Sequence, residues 1–407
     1  MMKSLERYKM VLASVNLNTS ALVLLLTALE QRRKVSKRLL SNTLHVASLI
    51  LSCVLINHEL VALPRVKPPS QGSIKDVSAW DDVQFYIQFR FRKGHFYHFL
   101  DAIRWLDARG RPLVMKFGNK GHKYTMRTDH LMMILLKRLG FPCRWADVML
   151  ILGGCETTLS DAFRFVLQYL YFEYVPLIQD LNRWKDRFPE FAKRLSDMGA
   201  PYDNLISFVD GHFDPSARPG GDGCTRVNLK DYQCYNILHK GHGLMFQGLV
   251  MVNGWAMVWG PYRDRGSEHD AKAVIKADII EDLKNICDEI GVIYSHFADS
   301  AYPVSRYMQA ILKNPAGGSL SAGERRFNSL MARFRVVIEN LFAEIENQFA
   351  FLQHHQNKKL CLQDVGKLFP VAMFLFNVRT LYYGSQTANY YGLDGVADLS
   401  LHQVLQK

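Results

Sequence analysis

Along this chain the spacing of apolar positions changes character once. Up to about residue 200 they recur every three or four residues, which lines one face of a helix; from residue 205 they begin to alternate, as in a half-buried strand. The leading part carries two long apolar runs, "SALVLLLTAL" (20–29) and "LLSNTLHVASLILSCVLINHELVAL" (39–63), read as buried helices. The second is long enough to span a bilayer but holds Ser, Asn, His and Glu. Three prolines, a glycine and two serines in "LPRVKPPSQGS" (63–73) end this segment. Residues 74–200 read as mostly helical. Within them, 127–170 shows three apolar-periodic stretches broken at Gly140–Pro142 and Gly153–Gly154, with Thr157, Thr158 and Ser160 as N-cap residues for the third. That outline suits a helix-turn-helix and an ordinary helical bundle equally well.

After "SDMGAPYDN" (196–204), "LISFVDG" (205–211) reads as a strand ending in Asp210. "GLMFQGLVMV" and "WAMVWG" flank Asn253–Gly254, a hairpin turn signal. Residues 267–291 read as one capped amphipathic helix stopped by Gly291, and "VIYSHFADSAY" (292–302) as a strand delivering Asp299. A helix at "YPVSRYMQAIL" follows, then a long helix over 324–352 that carries Glu339. No internal repeat or low-complexity tract is visible.

With 407 residues the chain has room for two or more domains, and its composition is that of ordinary globular proteins. The net charge of +12 is unevenly spread: residues 1–200 hold 30 Lys+Arg against 17 Asp+Glu, and residues 201–407 hold 20 against 21. A basic front end suggests a polyanionic partner, although basic surfaces also serve solubility. "QRRKVSKR" (31–38) reads as a nuclear address or a solvated helix face. The late start of the first apolar run, followed by basic residues, argues against a signal peptide. Cys53, Cys143, Cys155, Cys224, Cys234, Cys287 and Cys361 form an odd, scattered set without CxxC, which predicts a reducing, intracellular setting rather than a disulfide framework or zinc site.

The candidate chemistry lies in three acids. Asp210 and Asp299 each end an apolar strand, and an intervening helix would make the strands parallel neighbours with both acids at one sheet edge. Glu339 sits on a later helix able to cross that edge. Carboxylates gathered without basic partners repel one another unless cations are bound. Mg²⁺ prefers oxygen donors, and two such ions activate a nucleophile and stabilise a leaving oxygen in phosphodiester chemistry. The plainer readings are strand-end caps for the aspartates and an ion pair of Glu339 with Arg335.

Residues 206–393 resemble the catalytic domain of PIF/Harbinger DNA transposases and the nucleases derived from them. The resemblance rests on "FVDGHFDPSARPGG", "YNILHKGHGLMFQGLVMVNG", "GPYRDRGSEHDA", "FADSAYP", "FNSLMARFRVVIENLFAEI" and the trailing "LYYGSQTANYYGLD" (381–394). It implies an α/β fold: a ribonuclease H-like core, a mixed sheet flanked by helices, preceded by an all-helical N-terminal region with a helix-turn-helix-like segment. It implies Asp210, Asp299 and Glu339 as the catalytic, metal-binding triad of a DDE superfamily endonuclease with two Mg²⁺ or Mn²⁺ ions. The Asp210–Asp299 spacing of 89 residues and the Asp299–Glu339 spacing of 40 suit that core. Ala298 replaces a common Gly and His212 a common Thr, so neither ligating position is lost. His269 and Asp270 are accessory motif residues; Asp270 at a helix start favours a structural role through the macrodipole. His239, Lys240 and His242 read equally as DNA-backbone contacts and as a solvated loop.

The expected organisation is therefore an N-terminal helical segment and linker (1–70), a basic helical DNA-binding region (71–200), a DDE catalytic domain (201–384) and a tail (385–407). The expected function is metal-dependent transposition: hydrolysis at element ends and joining of the 3′-hydroxyl to target DNA. The resemblance implies a nuclear site, DNA terminal inverted repeats as ligand and a Myb-like DNA-binding partner; a homodimer would bring two DNA ends together. No membrane association is expected. The alternative is a domesticated, catalytically silent DNA-binding or scaffold protein, with a membrane-associated protein as a third reading from 39–63.

Overall fold

The structure, a computed structural model, describes residues 74–77, 79–118, 123–220, 234–262, 270–393 and 401–405. The expectations for residues 1–70, including both long apolar runs and the basic cluster, lie outside them. Residues Gly72–Lys407 form one compact unit. Among the described residues no helix is long and apolar enough to cross a membrane.

The unit opens with helices α1 (Asp82–Phe89) and α2 (Lys93–Ala102), and then a short antiparallel hairpin of β1 (Val114–Phe117) and β2 (Tyr124–Arg127). This hairpin is a local exception to the all-helical region expected ahead of the sheet, which is otherwise mostly helical as read from the sequence. Its arms are only four residues each, too short for alternation to stand out from a helical background. Helices α3 (Thr128–Gly140), α4 (Trp145–Leu152) and α5 (Glu156–Ile178) follow, with breaks at the two expected glycine sites. Cys155 is the N-cap residue of α5 and makes no side-chain cap bond, so the anticipated Thr and Ser caps are not used. Helix α5 is 23 residues long. It packs against α3, α4 and α10 (Val365–Tyr383). A 3₁₀ turn (Leu181–Arg187) and α6 (Phe188–Asp197) lead to the sheet.

The sheet is built around β3 (Leu205–Pro215), whose first five residues are buried on both faces as a central strand requires. Antiparallel β5 (Gly241–Met251) lies on one side of β3, and parallel β7 (Ser295–Ala298) on the other. The far edge of β5 takes the two-residue β4 (Tyr235–Asn236) and the antiparallel β6 (Ala256–Tyr262); β8 (Met308–Ala310) adds parallel to β7. The β5–β6 hairpin turns at Asn253–Gly254 as its sequence predicts, with Gly254 at φ 85° and the Asn253 side chain accepting from Trp255 N.

Three local expectations are corrected. β3 continues five residues past Asp210, because β5 pairs with it from Ser207 to Pro215; Asp210 is therefore mid-strand. The helix expected over 267–291 is two, α7 (Asp270–Lys276) and α8 (Ile279–Ile290), separated where Asp278 adopts a left-handed φ of 55° that aspartate tolerates. Gly291 stops α8 as expected, at φ 72°. The helix expected at "YPVSRYMQAIL" is a turn and strand β8. There the Ser305 hydroxyl accepts from Tyr307 N and Met308 N, the local bonding that competes with a helix, and β7 supplies a sheet edge.

Helix α9 (Ala322–Gln348) begins with a Ser321–Glu324 capping box and buries Met331, Phe334, Ile338, Leu341, Phe342 and Ile345 on one face, packing on β3 and β5. An antiparallel three-strand unit, two parallel strands added to its first strand, and a helix laid across the centre make this a mixed α/β, ribonuclease H-like fold.

Candidate active site

Alternation along β3 places Phe208, Asp210, His212 and Asp214 on one face, the face covered by α9. Asp210 Oδ1 accepts from Gly211 N at 2.9 Å, and Oδ2 accepts from Arg335 Nη1 at 2.6 Å. The other end of the same guanidinium, Nη2, donates to Glu339 Oε1 at 2.6 Å. Arg335 and Glu339 are one helical turn apart on α9, so the fork reaches back to its own helix and across to the sheet. Arg335 is 19% exposed and Glu339 54%, so the buried part of the bridge lies at the strand and its open part on the helix. Two of the three candidate acids are therefore joined. The expectation that they lack a basic partner is corrected, and the Glu339–Arg335 pair weighed from the sequence is present.

Asp299 is the first residue after β7. The last paired rung of β3 and β7 is Phe208↔Phe297, and Asp210 and Asp299 each lie two residues beyond it. The register thus puts the two aspartates equally far past that rung, Asp210 within β3 and Asp299 in the turn that follows β7. Asp299 Oδ1 accepts from Ala301 N at 2.7 Å, an Asx-type turn, and its carbonyl accepts from Tyr302 N at 3.3 Å. The Tyr302 hydroxyl then donates to Gln247 Oε1 on β5 at 2.6 Å, anchoring the turn to the sheet. Asp270 opens α7, while His269 and the Asp270 side chain lie outside the described residues.

The sequence reading missed a second group on the same face of β3. Asp214 and Lys358 are both fully buried and hydrogen-bonded to each other. Burial pushes the Asp214 carboxyl up to about 6, against the opposing pull of Lys358. His212 lies between the rings of Phe369 (4.0 Å between centroids) and Phe342 (4.8 Å). Burial first, and then the Lys358 and His239 charges, lower its pKa to about 3. It is neutral, and Nε2 lies 3.6 Å from Glu346 Oε1, too far for a hydrogen bond. Burial likewise raises Glu346. The signal was present in "DGHFD", where every second residue of a strand facing a helix is polar.

The 236–242 turn is ordered by Asn236, whose Oδ1 accepts from Leu238 N at 2.9 Å and His239 N at 3.1 Å. His239 stacks on Phe213 at 4.4 Å, so that ring has a structural contact beside any role toward DNA.

Among the described residues no three His, Cys, Asp or Glu side chains are gathered closely enough to hold a metal. The donor set nonetheless suits a hard cation: oxygen-only ligands, with two carboxylates already drawn to one positive group. No curated protein and no solved structure matches the chain. Residues 223–377, a stretch that begins after Asp210 and includes Asp299, Arg335, Glu339 and Lys358, match the family model described as DDE superfamily endonuclease.

Proposed function

We propose that this protein is a metal-dependent DNA endonuclease of the PIF/Harbinger transposase type, with Asp210, Asp299 and Glu339 as its catalytic carboxylates. One observation carries the reading: Asp210 and Asp299 each lie two residues past the last rung that joins β3 to the parallel β7, and Asp210 is linked through Arg335 to Glu339 on the crossing helix. The endonuclease match and the ribonuclease H-like strand order support it.

Bound Mg²⁺ or Mn²⁺ would supply Lewis acidity and nucleophile activation for phosphodiester hydrolysis. Asp210 holds its carboxylate in place, since its strand is paired there with β5 and Oδ1 accepts from Gly211 N. Asp299 is aimed by its own turn and by the Tyr302 anchor. Glu339, half exposed on α9, is the adjustable ligand. DNA is the substrate, with terminal inverted repeats and target DNA as its two forms, and the basic excess of residues 1–200 provides the phosphate-binding surface. The nuclear site, Myb-like partner and homodimer belong to the same reading.

A second reading has one observation in its favour. Arg335 pairs with both Asp210 and Glu339 and offsets one of their two negative charges, which suits a catalytically silent DNA-binding protein that keeps the fold. Cleavage of labelled duplex carrying candidate terminal repeats, with Mg²⁺, Mn²⁺ or EDTA and with a Myb-like partner added, separates the two. The endonuclease reading expects metal-dependent cutting that falls at least about a hundredfold in Asp299→Ala. Equal DNA binding by both chains without cutting in any metal establishes the silent protein instead.

A further inference from the structure

We infer that Arg335 is an internal counter-ion for the acidic site, and that a divalent cation must displace it to bind. This rests on the reading of Asp210, Asp299 and Glu339 as metal ligands. The oxygens involved are the same: Asp210 Oδ2 and Glu339 Oε1 each accept from the guanidinium at 2.6 Å. The N–H donor at that distance occupies one lone-pair site of each oxygen and sets the guanidinium in the space between the two carboxylates, where an ion held by both would sit; Mg²⁺ requires its ligand oxygens at about 2.0–2.1 Å in a near-octahedral shell. A guanidinium and a doubly charged ion in the same space also repel strongly in a partly buried setting.

The geometry allows an exchange. Glu339 is 54% exposed against 19% for Arg335, so a rotamer change that swings the Glu339 carboxylate toward solvent separates the pair. The apolar stripe from Met331 to Ile345 keeps the helix seated while the side chains move. Asp210 stays in place, fixed by its strand and by Gly211 N. Without an ion, the arginine suppresses the repulsion between Asp210 and Glu339 and the fold needs no metal to assemble. With an ion, the guanidinium is released beside the site with its charge free for a phosphate, to which its fork is suited.

Competition of this kind is read directly by metal affinity, without reference to catalysis. Mn²⁺ binding to the full-length chain is followed by the loss of the free-ion electron paramagnetic resonance signal, for the unaltered protein, Arg335→Gln, Arg335→Lys and Asp299→Ala. Circular dichroism checks that each is folded. Removing two charge-assisted hydrogen bonds from the ligand oxygens is expected to tighten Mn²⁺ binding on the order of ten- to a hundredfold in Arg335→Gln. Arg335→Lys, whose ammonium is a single point charge without the fork, is expected to fall between, and decides the matter if the glutamine variant does not fold. Equal or weaker Mn²⁺ binding by the folded Arg335 variants, with binding lost in Asp299→Ala, overturns the counter-ion role and leaves the acidic site standing. No Mn²⁺ binding by any chain overturns the metal-site reading, and the counter-ion role with it.

Discussion

Gly248 on β5 is the cross-strand partner of Asp210 on β3, and the ring of Phe342 lies against it: a Cβ on Gly248 would fall 2.6 Å from two ring atoms. The missing side chain is what lets α9 approach the sheet closely enough for Arg335 to reach Asp210. Gly248→Ala should therefore lift α9 locally, at a cost of about 1–3 kcal/mol typical of overpacking. Urea denaturation reads the loss. Unchanged stability would mean that the ring rotates aside and that Gly248 does not set the helix height.

Lys358 and Asp214 form an ion pair with both side chains at 0% exposure. Removing one partner strands the other charge, and Lys358→Met is expected to cost about 3–5 kcal/mol. The double variant Lys358→Met/Asp214→Leu removes both charges and should recover most of that loss, since an apolar pair of similar volume often replaces a buried ion pair without penalty. Midpoints of denaturation for the unaltered chain, Lys358→Met, Asp214→Leu and the double variant decide it. Additive losses in the double variant would show that the two side chains are not energetically coupled.

How much of this was legible in the sequence depended on range. The β5–β6 hairpin and the Gly291 stop were readable because a local turn residue fixes each of them. The extent of β3 was not, because its last five residues are held by β5, some thirty residues further on, and not by their own propensity. β8 is similar: "YPVSRYMQAIL" has a helical apolar spacing, and only the edge of β7 makes it a strand. Asp210 and Asp299 could be named from the ends of apolar runs and Glu339 from its place on a long helix, and the link between Asp210 and Glu339 could not, since it requires knowing that α9 crosses β3. Lys358 sits in a polar stretch, "HHQNKKL", that gives no hint of a fully buried ammonium.

The pH response should be dominated at the acid side by neutral buried histidines. His212 and His296 are both depressed by burial to about 3, below the ordinary value of about 6.5 expected in the unfolded chain. Between those values the unfolded chain binds protons that the folded chain refuses, so stability is lost as pH falls from about 6.5 toward 3 and is fully present above. Asp214, raised to about 6, acts in the opposite sense below that pH, because the folded chain takes up its proton first. The His212→Thr variant lacks one of the two histidine contributions. Its melting temperature relative to the unaltered chain should rise steadily between pH 7 and pH 4.5. A difference that stays constant with pH would show that His212 titrates alike in the folded and unfolded chain and is not held neutral by burial.

Tyr302 connects the turn of Asp299 to Gln247, which is itself fully buried. In Tyr302→Phe the ring keeps its packing and the hydroxyl is lost, leaving Gln247 Oε1 without its donor; a cost of about 1–2 kcal/mol is expected. The functional effect should be separable from that loss. Asp299 retains its own bond to Ala301 N, so the carboxylate is still present but its turn is no longer tied to β5. If Asp299 works as a metal ligand, Tyr302→Phe should weaken Mn²⁺ binding several-fold at a temperature where both chains are fully folded, short of the complete loss expected for Asp299→Ala. A variant that loses stability and keeps its Mn²⁺ affinity would assign Tyr302 to the core alone, with the aim of Asp299 set entirely by its local turn.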